Sequence, residues 1–411
     1  MNTAPAHATW TNWVGNQSAN PARVVAPRDE TELQQAVVEA VAYGLPIRAV
    51  GAGHSFTPVC VSEGLLIETD GLSGVVATST DRCRATLRAG TRISDLGEPL
   101  WEAGLSLRNQ GDIDTQSIAG AISTGTHGSG VRLPSFSASV RSARLVLASG
   151  DVLEIGEHDP DLLRAAQVGV GMLGVFSELG IEVEPAYRLR ERLELWPFAR
   201  VLEEWDERVA EHRHFSCFWL PSEASGELYG LPVGDGASLA DCSFVKIYDL
   251  VDPDEPDDAT RERRVDRAYR IYPGIFAANF HELEYMVPLE RAGEAISAMR
   301  ELMLRWLPAS IFPLEIRTTA GDRGMLSPNH GRPSLVLSVS GVPGTDYWPY
   351  LRAVDGLLDT FDGRPHWGKL HLLTRERLDR LYPEADRFRE IRRSLDPGGV
   401  FLNDHLRPLF E

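Results

Sequence analysis

Ile47-Arg48-Ala49-Val50-Gly51-Ala52-Gly53-His54-Ser55-Phe56 runs from an apolar stretch into two glycines, a histidine and a serine. Glycine has no Cβ, so two of them let the backbone turn tightly and come close to a ligand. Successive free N–H groups in such a turn make a concave nest for an anion such as a pyrophosphate. His54 stands at the end of that nest, where a bound cofactor would present its ring system. The pattern points to a phosphate-bearing cofactor held by backbone, without saying which one. A strand ending in a Gly-x-Gly turn, beside an ordinary surface histidine, is the alternative. A second chemical pattern is Glu315-Ile316-Arg317, after Phe312-Pro313-Leu314. Its period of two puts the acid and the base on one face of a strand. On a buried face such a pair can hydrogen-bond a polyol; on a surface it is a weak structural salt bridge. Lys369, beside Trp367, reads by itself as one more exposed lysine.

The elements that must position these groups follow from periodicity. Ala22 to Ala26 reads as a short strand. Asp29 and Glu32 have the spacing of a capping box, Leu33, Ala36, Val37, Ala40 and Val41 recur at helical period, and Gly44 fits the stop. With the strand after Pro46 this is a β-α-β unit, and the glycine turn lies at its far end, where ligands sit in open α/β sheets. Leu65 to Thr69, Gly74 to Thr78 and Arg84 to Arg88 read as strands, and Ile93 to Ala103 as a helix stopped by Gly104. Asn109 to Gly130 is rich in small and hydroxylated residues, with too many glycines and β-branched residues for a stable exposed helix. It suits a backbone pressed against a flat or phosphorylated ligand. A flexible linker is the alternative, but Ile113, Ile118 and Ile122 are anchors that a solvated linker does not need. Gly169-Val170-Gly171-Met172-Leu173-Gly174 spells the dinucleotide fingerprint, yet a helix (Asp161 to Gln167) precedes it and a strand (Val175 to Val183) follows. That is the reverse of the required context. From about 190 to 385 Trp, Tyr and Arg become more frequent, and strand pieces alternate with amphipathic helices such as Glu290 to Trp306 and Trp348 to Phe361. This predicts a second domain, an antiparallel sheet with helices on it. Asp252 to Asp266 reads as an exposed charged loop.

At 411 residues the chain has room for two or three domains. A net charge of −18 argues against a nucleic-acid surface and against adhesion to acidic lipid. The four cysteines show no CxxC spacing. Met1 to Trp13 lacks the basic segment and apolar run of a signal peptide, and no stretch is apolar enough to span a membrane. A reduced, cytoplasmic protein is the expectation.

The Gly51 to Ser55 turn, together with Ser117-Ile118-Ala119-Gly120 and Thr124-Gly125-Thr126-His127-Gly128, resembles the vanillyl-alcohol-oxidase superfamily of flavoenzymes. His366-Trp367-Gly368-Lys369 resembles the signature of its sugar-oxidising branch, the alditol oxidases and the aldonolactone (L-gulono-1,4-lactone type) oxidases and dehydrogenases. The resemblance implies an α+β fold of two domains. A PCMH-type FAD domain, residues 1–185 completed by the tail 386–411, would lie under an antiparallel-sheet substrate cap, residues 186–385. It implies FAD carried covalently by His54 through a ring nitrogen. Val50, Gly51, Ala52, Gly53, His54 and Ser55, with Thr124, Gly125, Thr126 and His127, would hold the pyrophosphate. Ser117, Gly120 and Val175 would contact the flavin, and Asp112 would serve both cofactor and substrate.

For the reaction, the resemblance implies oxidation of a carbinol by hydride transfer to flavin N5, with no metal. Glu315, Arg317 and Lys369 would position the hydroxyl and stabilise the charge that develops on its oxygen. The electrons would pass to dioxygen or another acceptor, with Ala89-Gly90 as the expected wall beside the flavin. One departure stands out. Relatives commonly place a substrate-facing histidine on the strand that here reads Leu335 to Ser340; this chain offers Ser338 and Ser340, on one face, while His330 falls on the preceding loop. Asp112 stands where some lactone-oxidising relatives have aspartate and alditol oxidases tend to have serine. An aldono-1,4-lactone such as L-gulono-1,4-lactone is therefore the expected substrate. An alditol, a larger glycosylated alcohol, and a flavin-binding protein without turnover are the alternatives.

Overall fold

The computed structural model describes residues 9–228, 238–260, 263–274 and 279–411. Asp29 caps the first helix, Glu30–Ala42, its carboxylate accepting from Glu32 N at 2.8 Å. The box is half closed, because the Glu32 carboxylate turns to Arg28 N. Leu33, Ala36, Val37 and Ala40 form the buried stripe, and Gly44 ends the turn with φ +66°. The flanking strands Arg23–Val25 and Ile47–Val50 do not touch; Leu65–Glu68 lies between them, parallel to both.

Beside this small sheet stands an antiparallel one of five strands, in the order Val152–Gly156, Val140–Val146, Val175–Glu182, Arg84–Arg88 and Val75–Ser79. The Gly169 to Gly174 segment joins helix Pro160–Gln167 to strand Val175–Glu182, the order that excludes a dinucleotide fingerprint. Ile93 to Ala103 folds as a 3-10 turn, Ile93–Leu96, followed by a helix, Gly97–Glu102. Asn109 to Gly130 does contain a helix, Ile118–Thr124. It forms despite its composition because Ile118, Ala119, Ala121 and Ile122 are buried, and core packing outweighs propensity.

Among the described residues the largest sheet has nine antiparallel strands. Its centre runs Cys242–Val251, His214–Leu220, Leu314–Thr319, Ser334–Gly341 and His281–Pro288. Helices Phe198–Glu211, Ala292–Arg305 and Trp348–Asp359 bury their apolar faces in this sheet's core. Asp252 to Asp266 is not simply a loop: Asp258–Thr260 and Arg263–Arg267 pair at the sheet edge, and residues 261–262 between them lie outside the described residues. Residues 1–8, part of the stretch read for a leader, lie outside them as well. The chain rejoins the N-terminal core at Trp367, with Leu373, Leu378, Leu381 and Tyr382 packed in it, ahead of the boundary expected at 386. Among the described residues no helix is long and apolar enough to cross a membrane.

Candidate functional site

Strand Ile47–Val50 delivers the glycine turn to one wall of a cavity of about 890 Å3. Gly51 is pressed so closely against the facing helix that a Cβ there would lie 1.8 Å from Ser117 Oγ. Ser117 in turn caps helix Ile118–Thr124, accepting from Gly120 N at 3.3 Å. Gly53 has φ +68°, a left-handed turn that aims His54 along the cavity. The loop is pinned from two sides: Trp13 N donates to Gly53 O at 2.9 Å, and Phe56 N donates to Gly368 O at 2.7 Å. Val50, Ala52, Ser55, Thr124 and Val175 complete the expected lining. Gln116 Oε1, which also lines this space, is buried with no partner among the described residues.

Arg48, to which the sequence reading gave no role, lines the same cavity and is buried. Its guanidinium donates to Val59 O, Val170 O, Gly171 O and Phe401 O, at 2.6 to 3.0 Å. Burial lowers its pKa to about 10, which still leaves it charged at neutral pH. His54 is neutral: burial, then Lys369 and Arg92, bring it down to about 4.

Gly125 leaves the helix with φ +81° and turns the chain away from this cavity. Five residues later Gly130 N donates to Thr318 O of the nine-stranded sheet. Gly125, Thr126 and His127, expected around a pyrophosphate, therefore stand elsewhere. Thr126 and His127 line a second cavity, of about 630 Å3, that shares Gln116, His366 and Lys369 with the first. Asp112, expected at both ligands, lines only the second of these two, its carboxylate clamped on Lys246 Nζ at 2.7 Å by both oxygens. Ala89-Gly90 lines neither, although Ala119 N, on the helix that lines the first cavity, donates to Ala89 O.

The sheet register builds the second cavity. Glu315 faces Ser338, and Ser338 faces Glu284, so two carboxylates flank a serine across three strands. Glu282 faces Ser340 one pleat along. Glu315, Arg317, Glu282, Glu284 and Lys369 all line the cavity. Ser338 and Ser340, expected to touch substrate, are not among the residues lining this cavity: the longer glutamates of the neighbouring strand line it, and the Ser338 hydroxyl donates to Glu282. Glu282 also pairs with Lys369. Arg317 pairs with Glu284 and lies 3.2 Å from Glu315 Oε2. His127 Nδ1 is 2.7 Å from Gly128 O and Nε2 is 3.1 Å from Glu284 Oε1. The ring thus bridges a backbone carbonyl and the Glu284 carboxylate.

Four carboxylates thus meet Arg317, Lys369, Lys246 and His127. Burial would push the Glu284 carboxyl up, but Arg317 and His127 hold it well below the usual carboxylate range. Glu315 goes the other way: burial pushes it up to about 7, against the pull of Arg317 and with help from Asp112, Glu282 and Glu284. A buried carboxyl poised near neutrality is suited to proton transfer at physiological pH. His366, neutral because burial brings it down to about 3, takes a hydrogen bond from Gly368 N at 3.0 Å. Glu282 and Glu284 were legible, since His281-Glu282-Leu283-Glu284-Tyr285 alternates like Glu315-Ile316-Arg317. Arg48 and Gln116 carry no such signal.

Residues 21–156 match the family described as FAD binding domain, and residues 244–409 the family described as D-arabinono-1,4-lactone oxidase. The chain is 35% identical to an L-gulono-1,4-lactone dehydrogenase of Mycobacterium tuberculosis, over 97% of this chain and 98% of that one. It is 30% identical to an alditol oxidase of a Streptomyces species, over 98% and 99%. It is 26% identical to the L-gulonolactone oxidase of Mus musculus, over 97% of each. Among solved structures, cholesterol oxidase from Brevibacterium sterolicum shares the fold with a TM-score of 0.84 at 15% identity, over 98% of this chain and 96% of that one. 6-Hydroxy-D-nicotine oxidase from Arthrobacter nicotinovorans does so with 0.73 at 17%, over 96% and 93%.

Proposed function

The chain belongs to the sugar-oxidising branch of the vanillyl-alcohol-oxidase superfamily and is an FAD-dependent oxidoreductase acting on CH–OH donors, and we propose that its substrate is an aldono-1,4-lactone of the L-gulono-1,4-lactone type. The observation that carries this reading is the meeting of the two cavities at Gln116, His366 and Lys369. One is lined by close backbone and glycine, the other by paired charges suited to hydroxyl groups.

The first cavity fits FAD. The Gly51 contact leaves room for backbone only on that side, and the orphaned Gln116 carbonyl offers an acceptor at the junction. Residues 50–55 with Ser117, Gly120, Thr124 and Val175 would hold it, and His54 would carry it covalently; the neutral imidazole is the nucleophilic form. FAD, when bound, supplies the hydride acceptor.

In the second cavity Arg317 and Lys369 bind the hydroxyl to be oxidised and lower its pKa. Glu315, near 7, accepts its proton as general base. His127 and Glu284 hold the Arg317 guanidinium against rotation, and Glu282 with Ser338 does the same for the Lys369 ammonium. Asp112, held by Lys246 from behind, is the far polar wall, against the ring hydroxyls of the lactone. All four cysteines are free thiols, which supports a reducing, cytoplasmic setting.

The test is an anaerobic absorbance titration with aldonolactones and alditols, followed by air. Bleaching of the flavin band by a lactone is the expected result. Return of colour in air would identify dioxygen as the acceptor, and a bleached solution that recovers only with a quinone or dye would identify a dehydrogenase. Bleaching by alditols alone would replace the lactone reading.

A further inference from the structure

Thr115 has no part in the chemistry described above. Its hydroxyl lies 3.0 Å from His54 Nε2. The backbone beneath it is tied down: Arg92 donates to Thr115 O at 3.0 Å, Ser94 N to Asp114 O at 2.8 Å and Ile93 N to Gln116 O at 3.0 Å. Arg92 is itself held by both oxygens of Asp70, at 2.7 and 2.8 Å. Trp13 covers one face of the imidazole, with ring centroids 4.8 Å apart and planes 24° apart. The ring is thus fixed in plane and in direction. Its other nitrogen, Nδ1, has no hydrogen-bond partner among the described residues, and His54 lines the first cavity.

A neutral imidazole has one N–H and one bare nitrogen, and whatever binds one nitrogen decides the state of the other. Resting on the covalent reading of His54, we propose that Thr115 is the positioning residue for attachment: its hydroxyl accepts the Nε2 proton and so leaves Nδ1 bare as the nucleophile. The His54 ring stays neutral at pH 7 because of burial and the nearby Lys369 and Arg92 cations, so a bare nitrogen is available. Attachment forms one bond, from Nδ1 to the 8α carbon of the flavin, and breaks one C–H bond there. That proton and the Nε2 proton leave, and the two electrons released pass through the ring system to dioxygen, giving hydrogen peroxide. Once Nε2 has lost its proton it needs a donor instead of an acceptor. A hydroxyl reverses its role by rotating, so Thr115 stabilises both ends of the reaction; a valine of the same shape could do neither.

The experiment follows tethering, not turnover. Full-length protein is produced without flavin, FAD is added in air, and the covalent fraction is followed by fluorescence of the denatured chain and by its mass. Quenching of free FAD fluorescence reports non-covalent binding separately. In Thr115→Val tethering should slow about tenfold, the upper range for one hydrogen bond, with FAD binding unchanged, and Thr115→Ser should restore it. Tethering by Thr115→Val at the wild-type rate overturns the proposal, as does Thr115→Ser as slow as the valine variant. Wild-type protein that binds FAD but never tethers it overturns instead the covalent reading beneath.

Discussion

Replacing Glu315 by glutamine separates proton chemistry from packing, because the amide keeps the shape and the acceptor for Arg317 but cannot ionise. The Glu315 carboxyl has an ordinary value of 4.5 and sits at about 7 in the fold. As pH rises from 4.5, the unfolded chain gives up this proton first while the folded protein keeps it. The folded state therefore binds more protons through that window, and stability falls until pH passes 7. At about 1.4 kcal/mol per pH unit the gap amounts to about 3 kcal/mol. Glu315→Gln should match wild type in urea unfolding near pH 4.5 and exceed it by about 3 kcal/mol at pH 8.5, read by intrinsic fluorescence. Substrate reduction of the flavin should rise through pH 7 in wild type, and should be flat and about 100-fold slower in the variant. A variant less stable than wild type at pH 8.5, or shifted equally at both pH values, would refute the view that Glu315 is held against its ionised form.

Lys369→Met should keep FAD, seen in the visible spectrum, and lose flavin reduction by at least about 100-fold, the scale of one removed electrostatic stabiliser. Gly51→Ala should lose FAD on gel filtration, since its Cβ would meet Ser117 Oγ at 1.8 Å; adding Ser117→Gly should recover binding. Arg48→Met leaves up to four buried carbonyls without their donor, at about 1–3 kcal/mol each. It should melt well below wild type by calorimetry and take up less FAD when reconstituted.

The glycine turn and the helix that faces it were legible as a place where backbone meets a ligand, because a missing Cβ and a cap are local features of Gly51 and Ser117. Glu315 and Arg317 were legible for a similar reason: a period of two fixes a shared face before any fold is known. What sequence could not supply was the neighbouring strand. Ser338 was expected to meet substrate, yet the register sets it between Glu284 and Glu315 and turns its hydroxyl to Glu282. His127 was expected at phosphate from the family resemblance, and the left-handed Gly125 before it sends it to the other cavity. Arg48 was passed over for a different reason. Its partners are four carbonyls, and every residue type has one.

Those carbonyls give Arg48 a place in time as well as in space. Its link to Phe401 O spans 353 residues, and the strand beside it is closed by Ile47 N donating to Val400 O. Asn403 adds a clamp on the carbonyls of Pro58 and Val61. At roughly 5–20 residues per second, a ribosome needs about 18 to 70 s to travel from Arg48 to Phe401. Through that interval the floor of the first cavity lacks one side, and a cation meant for the interior stays in water. Cofactor loading is therefore a late step of biogenesis, and nascent chains arrested before residue 400 should fail to retain FAD that the finished chain holds.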